Sequence, residues 1–261
     1  MLPTEPIGSI PRSAELMSAS AEHAAGQLPT SEFERLAEES LTNTLRRFET
    51  SGSPVITDGE QTKSSFVTYP LEGLDNLRPG GVVIPFSDGH TRQLPRLVSG
   101  PFRYGHHADE YLTRARRLTA LPVKQAVIAV SALSLLYPAD GIDGYPKEQF
   151  LDDLVAGGVA DIRRCLDAGA YSVQIDFTEG RLSLKLDPSG DLLRQFLQLN
   201  SRVISAFTSE ERARIGVHTF CGLPSAGLSG LYRRHQSDQP PRGDLRGGCR
   251  GDHPSRAVHP R

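Results

Sequence analysis

The sequence has three cysteines in 261 residues, too few for a disulfide framework. It contains no apolar run of about 18 residues and no charged-then-apolar leader, so a membrane anchor and a secreted scaffold are not expected. A reducing cytoplasm is the compartment this implies. A GxGxxG fingerprint and a Walker sequence are also missing, which removes the usual support for a nucleotide-binding fold. Nor is there a basic body. The formal charge is -2, and residues 222 to 261 carry seven Arg and three Asp, which leaves the first 221 residues at -6 by subtraction. Neither nucleic acid nor a membrane surface is therefore an expected partner of that part.

What is present is ordinary for a globular enzyme: 38% hydrophobic and 23% charged residues, enough for a sizeable core. Helix-like and strand-like segments alternate. Residues 5–12 (EPIGSIPR) read as a very short strand running into a turn, where Gly8 and Ser9 leave backbone N–H groups able to hold a carboxylate. Ser31 and Glu34 have capping-box spacing ahead of Phe33, Leu36, Leu41, Leu45 and Phe48, a helical stripe that Gly52 ends. Residues 53–60 (SPVITDGE) form the second strand-like run, with Asp58 and Glu60 where it emerges. Val82–Phe86 and Gln93–Leu97 flank Ser87-Asp88-Gly89-His90, a hairpin signal within an insertion at about 64–105.

The second half repeats the alternation. Ala108 to Leu118 reads as a helix, and PVKQAVIAV (122–130) as a strand apolar enough to be buried on both faces. Phe150 to Leu166 is the next helix, weakened by Gly157-Gly158, with Cys165 as a small core residue. AYSVQIDF (170–177) is a fourth strand ending in Asp176, with Glu179 just beyond. Asp187-Pro188 caps a helix striped by Leu193, Phe196, Leu199, Val203 and Phe207, and Thr208 with Glu211 makes a second capping box. The strand-like RIGVHTFC (214–221) comes next. It ends in His218 and Cys221, candidate metal ligands.

Five such strands between helices imply right-handed βαβ units and a parallel sheet. Polar residues recurring at successive strand ends favour a (β/α)8 barrel, of which residues 1–221 hold about five of eight units. Residues 222–261 hold seven glycines and five prolines among their arginines and show no periodicity, a composition that reads as disordered, or as a truncated or frameshifted end.

The strings IGSIPR, ITDGEQTKSSFVTYPLEGLDN, PVKQAVIAVSALSLLYP, VQIDFTEGRL and IGVHT together resemble the catalytic domain of cobalamin-independent methionine synthases, in particular their shorter single-barrel relatives. The resemblance covers most of Pro3 to Thr219. It implies a zinc-containing barrel of the methionine synthase/uroporphyrinogen decarboxylase type, which methylates the sulfur of homocysteine, or a similar thiol, from a methylated folate. It implies that Ile7, Gly8 and Ser9 hold the amino-acid carboxylate through backbone amides, and that Glu60 and Asp176 hold the ammonium. His218 and Cys221 would be two zinc ligands, here separated by Thr219 and Phe220 where the family has one residue. The family takes a further glutamate and cysteine from later strands. The alternative is therefore a catalytically inactive fragment of such an enzyme.

Overall fold

The computed structural model describes residues 5–85 and 91–219. The chain divides into two units, residues 1–220 and 221–261. The expected metal ligand Cys221, the Arg-rich segment after it and the hairpin turn at 87–90 lie outside the described residues.

The first element is a helix that the sequence pattern does not separate, α1 (Ala14–Ala24), capped by the Ser13 hydroxyl accepting from the amide of Leu16. Next comes α2 (Thr30–Ser51), which ends at Gly52 in the left-handed conformation, as the glycine signal implies. Its start differs from expectation. Pro29 is the N-cap, which places Ser31 and Glu34 inside the helix and dissolves the expected capping box.

In the insertion β1 (Leu77–Arg78) pairs with β4 (Arg96–Leu97), and β2 (Val83–Pro85) pairs antiparallel with β3 (Thr91–Gln93). The expected hairpin forms with its second arm shifted, at Thr91–Gln93 in place of Gln93–Leu97, and Arg96–Leu97 pairs with β1 instead.

Helix α3 (Asp109–Arg116) leads to the central sheet: β5 (Gln125–Ile128), β6 (Val173–Asp176) and β7 (Ile215–His218), parallel and in the order β5-β6-β7. A short helix α4 (Val130–Leu133) and the long α5 (Lys147–Asp167) connect β5 to β6. Helices α6 (Gly180–Leu186), α7 (Asp191–Ser205) and α8 (Ser209–Arg212) connect β6 to β7. The α/β layering is as the alternation implies, and every residue of β5 and β6 is buried.

The two N-terminal strands are not regular strands, for identifiable reasons. Residues 5–12 contain Pro6 and Pro11, which have no N–H for a ladder. The segment docks instead through scattered bonds, among them Ile10 N–H to the Gly59 carbonyl at 3.0 Å, the Thr57 hydroxyl to the Gly8 carbonyl at 3.0 Å and Gln61 Nε2 to the Ile10 carbonyl at 2.9 Å. The run at 53–60 makes one parallel bridge, Ile56 to Val123. It turns away at Gly59 and Glu60, whose φ angles of 62° and 56° are left-handed.

Two further departures concern helices. Residues 180–186, to which the sequence pattern assigns no element, are helical, and α7 begins at Asp191. Its N-cap is Gly190 rather than the expected Asp187, whose Oδ2 nonetheless accepts from Leu192 N–H in the first turn at 2.8 Å. The glycine pair in α5 reads differently in three dimensions. A Cβ at Gly157 would lie 2.7 Å from the Tyr104 ring, and one at Gly158 would lie 2.4 Å from Val130 Cγ1. These glycines let α5 approach its neighbours, a packing role set against their weak helix propensity.

Candidate functional site

Register decides which side chains meet. Ile128, Asp176 and His218 are direct partners across β5, β6 and β7, so Asp176 and His218 emerge side by side at the carboxyl ends of parallel strands. Successive residues of a strand face opposite ways, so Lys124, Gln174, Asp176 and His218 occupy one face of the sheet. They are linked in sequence. Lys124 Nζ lies 3.2 Å from Glu5 Oε1 and donates to Gln174 Oε1 at 2.9 Å. Gln174 Nε2 donates to Asp176 Oδ1 at 2.7 Å, and the same oxygen lies 3.2 Å from His218 Nδ1.

Glu60 arrives from the left-handed bend after Ile56. Arg12 Nη2 donates to its backbone carbonyl at 2.9 Å, and Asp58 Oδ1 accepts its amide at 3.0 Å. The residue is 5% exposed. Burial pushes its carboxyl above the usual range, Lys63 opposes this, and the charges of Asp58 and Asp176 add to it. Glu60 and Asp176, far apart in sequence, are thus close enough for each to feel the other's charge.

The segment expected to hold a carboxylate lies on the same part of the fold. Gly8 is buried, and a Cβ there would sit at ordinary contact distance, 3.8 Å, from the Ala126 Cβ. Ile7 is 61% exposed and Ser9 is exposed. Among the described residues the amides of Gly8 and Ser9 donate to no group.

Glu179 lies just past β6 and is also 5% exposed. The Ser131 hydroxyl donates to its Oε1, Asn200 Nδ2 donates to that hydroxyl at 2.7 Å, and Oε2 is buried without a partner. Burial pushes this carboxyl up to about 7, against the Ser131 bond and with help from Asp176.

Several of these residues are not marked by the sequence pattern. Lys124 and Gln174 stand inside strand-like runs that read as apolar, and a polar residue at an inward strand position was the available signal. Lys63 comes three residues after Glu60 and gave no periodic cue. Ser131 and Asn200 lie 69 residues apart and only the fold joins them. Cys165 is fully buried, as expected for a small core residue, and burial raises its thiol.

The described residues contain no group of three or more His, Cys, Asp or Glu side chains placed to hold a metal ion. His218 is the part of the expected zinc donor set that they include. Its ring faces a carboxylate, the arrangement that orients many metal-binding imidazoles.

No family model matches the chain. A 5-methyltetrahydropteroyltriglutamate–homocysteine methyltransferase of Streptomyces griseus is 32% identical over 126 residues, 48% of this chain and 16% of that protein. The protein of the same name from Lactococcus lactis subsp. cremoris strain SK11 is 27% identical over 221 residues, 84% of this chain and 29% of that one. In three dimensions the chain is similar to a B12-independent methionine synthase from Shewanella sp. W3-18-1 in complex with selenomethionine. The TM-score is 0.62 at 19% identity, covering 85% of this chain and 62% of that one. A putative B12-independent methionine synthase from Listeria monocytogenes gives a TM-score of 0.61 at 19% identity, covering 81% and 62%.

The chain is similar in sequence to 5-methyltetrahydropteroyltriglutamate–homocysteine methyltransferases and in fold to B12-independent methionine synthases. It spans less than a third of the length of these two methyltransferases and 62% of the two solved methionine synthases. Among the described residues no helix is long and apolar enough to cross a membrane.

Proposed function

We propose that the chain is the amino-acid-binding part of a (β/α)8-barrel methyltransferase, which moves a methyl group from a methylated folate to the thiol of homocysteine and yields methionine. The observation that carries this reading is the meeting of Glu60 and Asp176, both buried and each within the other's field, beside His218 at the strand ends. Four buried acids, Asp58, Glu60, Asp161 and Asp176, act on one buried ammonium, Lys63. Such an excess of negative charge out of water attracts a second cation, and the α-ammonium of an amino acid supplies one.

In this reading Glu60 and Asp176 hold the ammonium while the amides of Ile7, Gly8 and Ser9 take the carboxylate, which fixes the amino acid at both ends. The thiol then extends toward His218, which is proposed as a zinc ligand together with Cys221, a residue outside the described ones. Zinc, when bound, lowers the pKa of a coordinating thiol and so supplies a thiolate at neutral pH. The chain's own part is orientation. Gln174 and His218 converge on Asp176 Oδ1, which locks that carboxylate and the imidazole in one geometry. A reducing cytoplasm suits a free-thiol substrate.

Calorimetry with L-homocysteine and L-methionine tests the reading. Saturable binding of both, weakened in Asp176→Asn, is expected, and absence of binding by the folded chain overturns it. Binding with no methyl transfer from methyltetrahydrofolate would select the alternative, a fragment that holds the amino acid without turning it over.

A further inference from the structure

Lys63 has no part in the roles above, yet it is among the most deeply buried charges of the described residues. It is 2% exposed, and its Nζ donates to the Ala126 carbonyl at 2.8 Å. The ammonium also lies 4.9 Å from the Tyr69 ring centroid and 5.7 Å from that of Tyr111, within cation–π range. A carbonyl and two aromatic faces fix its position.

Four acids act on this ammonium: Glu60, Asp58, Asp176 and Asp161. Three of them are otherwise engaged. Asp161 accepts from the Tyr69 hydroxyl and from Ala108 N–H, the latter at 2.7 Å. Asp58 accepts from the Glu60 amide at 3.0 Å and from Gln125 Nε2 at 3.5 Å. Asp176 is held by Gln174 and His218. Glu60 is the acid at ion-pair distance, its Oε1 lying 3.5 Å from Lys63 Nζ.

We propose that Lys63 is a positioning residue of the amino-acid site, an internal counter-ion that keeps the Glu60 carboxylate ionised and aimed. The proposal rests on the reading of Glu60 as an ammonium ligand. Its physical basis is the crowding of acids. Buried carboxylates that share a site do not all ionise, and one of them takes up a proton unless a cation stands beside it. A Glu60 that carries a proton offers the substrate ammonium a neutral partner. Lys63 prevents this, and its anchorage to the Ala126 carbonyl stops it from swinging into the place of the substrate's own ammonium.

The influence of Lys63 on Glu60 runs in the direction the proposal needs, although burial leaves that carboxyl above its usual range. Burial alone lowers a lysine, but the acids outweigh burial and Lys63 stays above the ordinary lysine value. For Glu60, burial raises the carboxyl, Lys63 lowers it, and Asp58 and Asp176 raise it. Removing Lys63 removes the downward influence and leaves the upward ones.

The test is L-methionine affinity by calorimetry over about pH 5 to 9, with wild type, Lys63→Met and the double variant Lys63→Met/Glu60→Gln. In Lys63→Met, affinity is expected to fall as pH drops below the raised Glu60 value, about tenfold per pH unit, and to recover at higher pH. The double variant loses that pH dependence. A wild-type pH profile in folded Lys63→Met overturns the proposal. A wild type that binds no L-methionine overturns the amino-acid site instead. The carboxyl carbon of Glu60, followed by carbon NMR in wild type and Lys63→Met, then decides the role of Lys63 alone, and an unmoved titration overturns it. Should Lys63→Met not fold, lysine Cε resonances of the wild type decide, since a Lys63 that titrates below ordinary lysines is no counter-ion.

Discussion

Asp176 and His218 are register partners on adjacent parallel strands, with the imidazole Nδ1 3.2 Å from the carboxylate Oδ1. That contact comes from β-sheet geometry, because side chains directly opposite one another across a ladder are nearest neighbours. Gln174, two residues earlier on the same face, donates to the same oxygen. The acid is therefore oriented from two sides before any ligand arrives.

Replacing Asp176 by Asn keeps an acceptor for Gln174 and removes the charge. Charge-assisted hydrogen bonds contribute about 1.5–3 kcal/mol, so L-methionine affinity is expected to fall roughly 10- to 150-fold with the fold retained. Calorimetry beside circular dichroism checks both halves of that statement.

Gly158→Ala sets two effects against each other. Alanine favours an exposed helix interior by about 1 kcal/mol over glycine. Here its Cβ would sit 2.4 Å from Val130 Cγ1, and overpacking of a tight core typically costs about 1–3 kcal/mol. Overpacking wins, so thermal denaturation should show a lower Tm for this variant.

Thr208→Ala removes the hydroxyl that accepts from Glu211 N–H at 3.2 Å, half of a complete capping box on α8. Loss of such a cap costs about 1 kcal/mol. For a unit of this size that is a drop of roughly 2–4 °C in Tm. An unchanged Tm would show that α8 is held by its neighbours rather than by its cap.

Glu179 gives stability a pH slope. Its folded value, about 7, lies above the ordinary carboxyl value of 4.5, so the folded state holds the proton more tightly than the unfolded one. The contribution is fully present below the unfolded value and is lost as pH rises from there through about 7, at most about 3 kcal/mol. Glu179→Gln should flatten stability across that window. Chemical denaturation at several pH values checks this, and an equal slope in both proteins would show that other groups carry it.

How far the sequence reaches is visible in particular residues. Thr208 and Glu211 announced their cap because capping is local, and β5, β6 and β7 were legible as apolar runs between helical stripes. Ser31 and Glu34 misled because the same spacing occurs inside a helix when a proline precedes it. The N-terminal segment looked extended, and two prolines deny it a ladder. Asp176 and Glu60 stood out as acids at strand ends. Lys63, by contrast, owes its position to Ala126, Tyr69 and Tyr111, contacts between distant parts of the chain that no local pattern encodes.

The left-handed backbone of Glu60 has a consequence for how this chain changes under selection. A non-glycine residue with φ of 56° carries a conformational penalty of order 1 kcal/mol or more, and this one also confines a carboxyl away from water. Glycine at the same position would relieve both, while Lys63 keeps the Ala126 carbonyl and the charges of Asp58, Asp161 and Asp176. A library sorted for heat resistance alone is therefore expected to accumulate Glu60→Gly, and one sorted for amino-acid capture to reject it. Deep sequencing of the two pools would measure how far durability and ligand affinity pull against each other at a single codon.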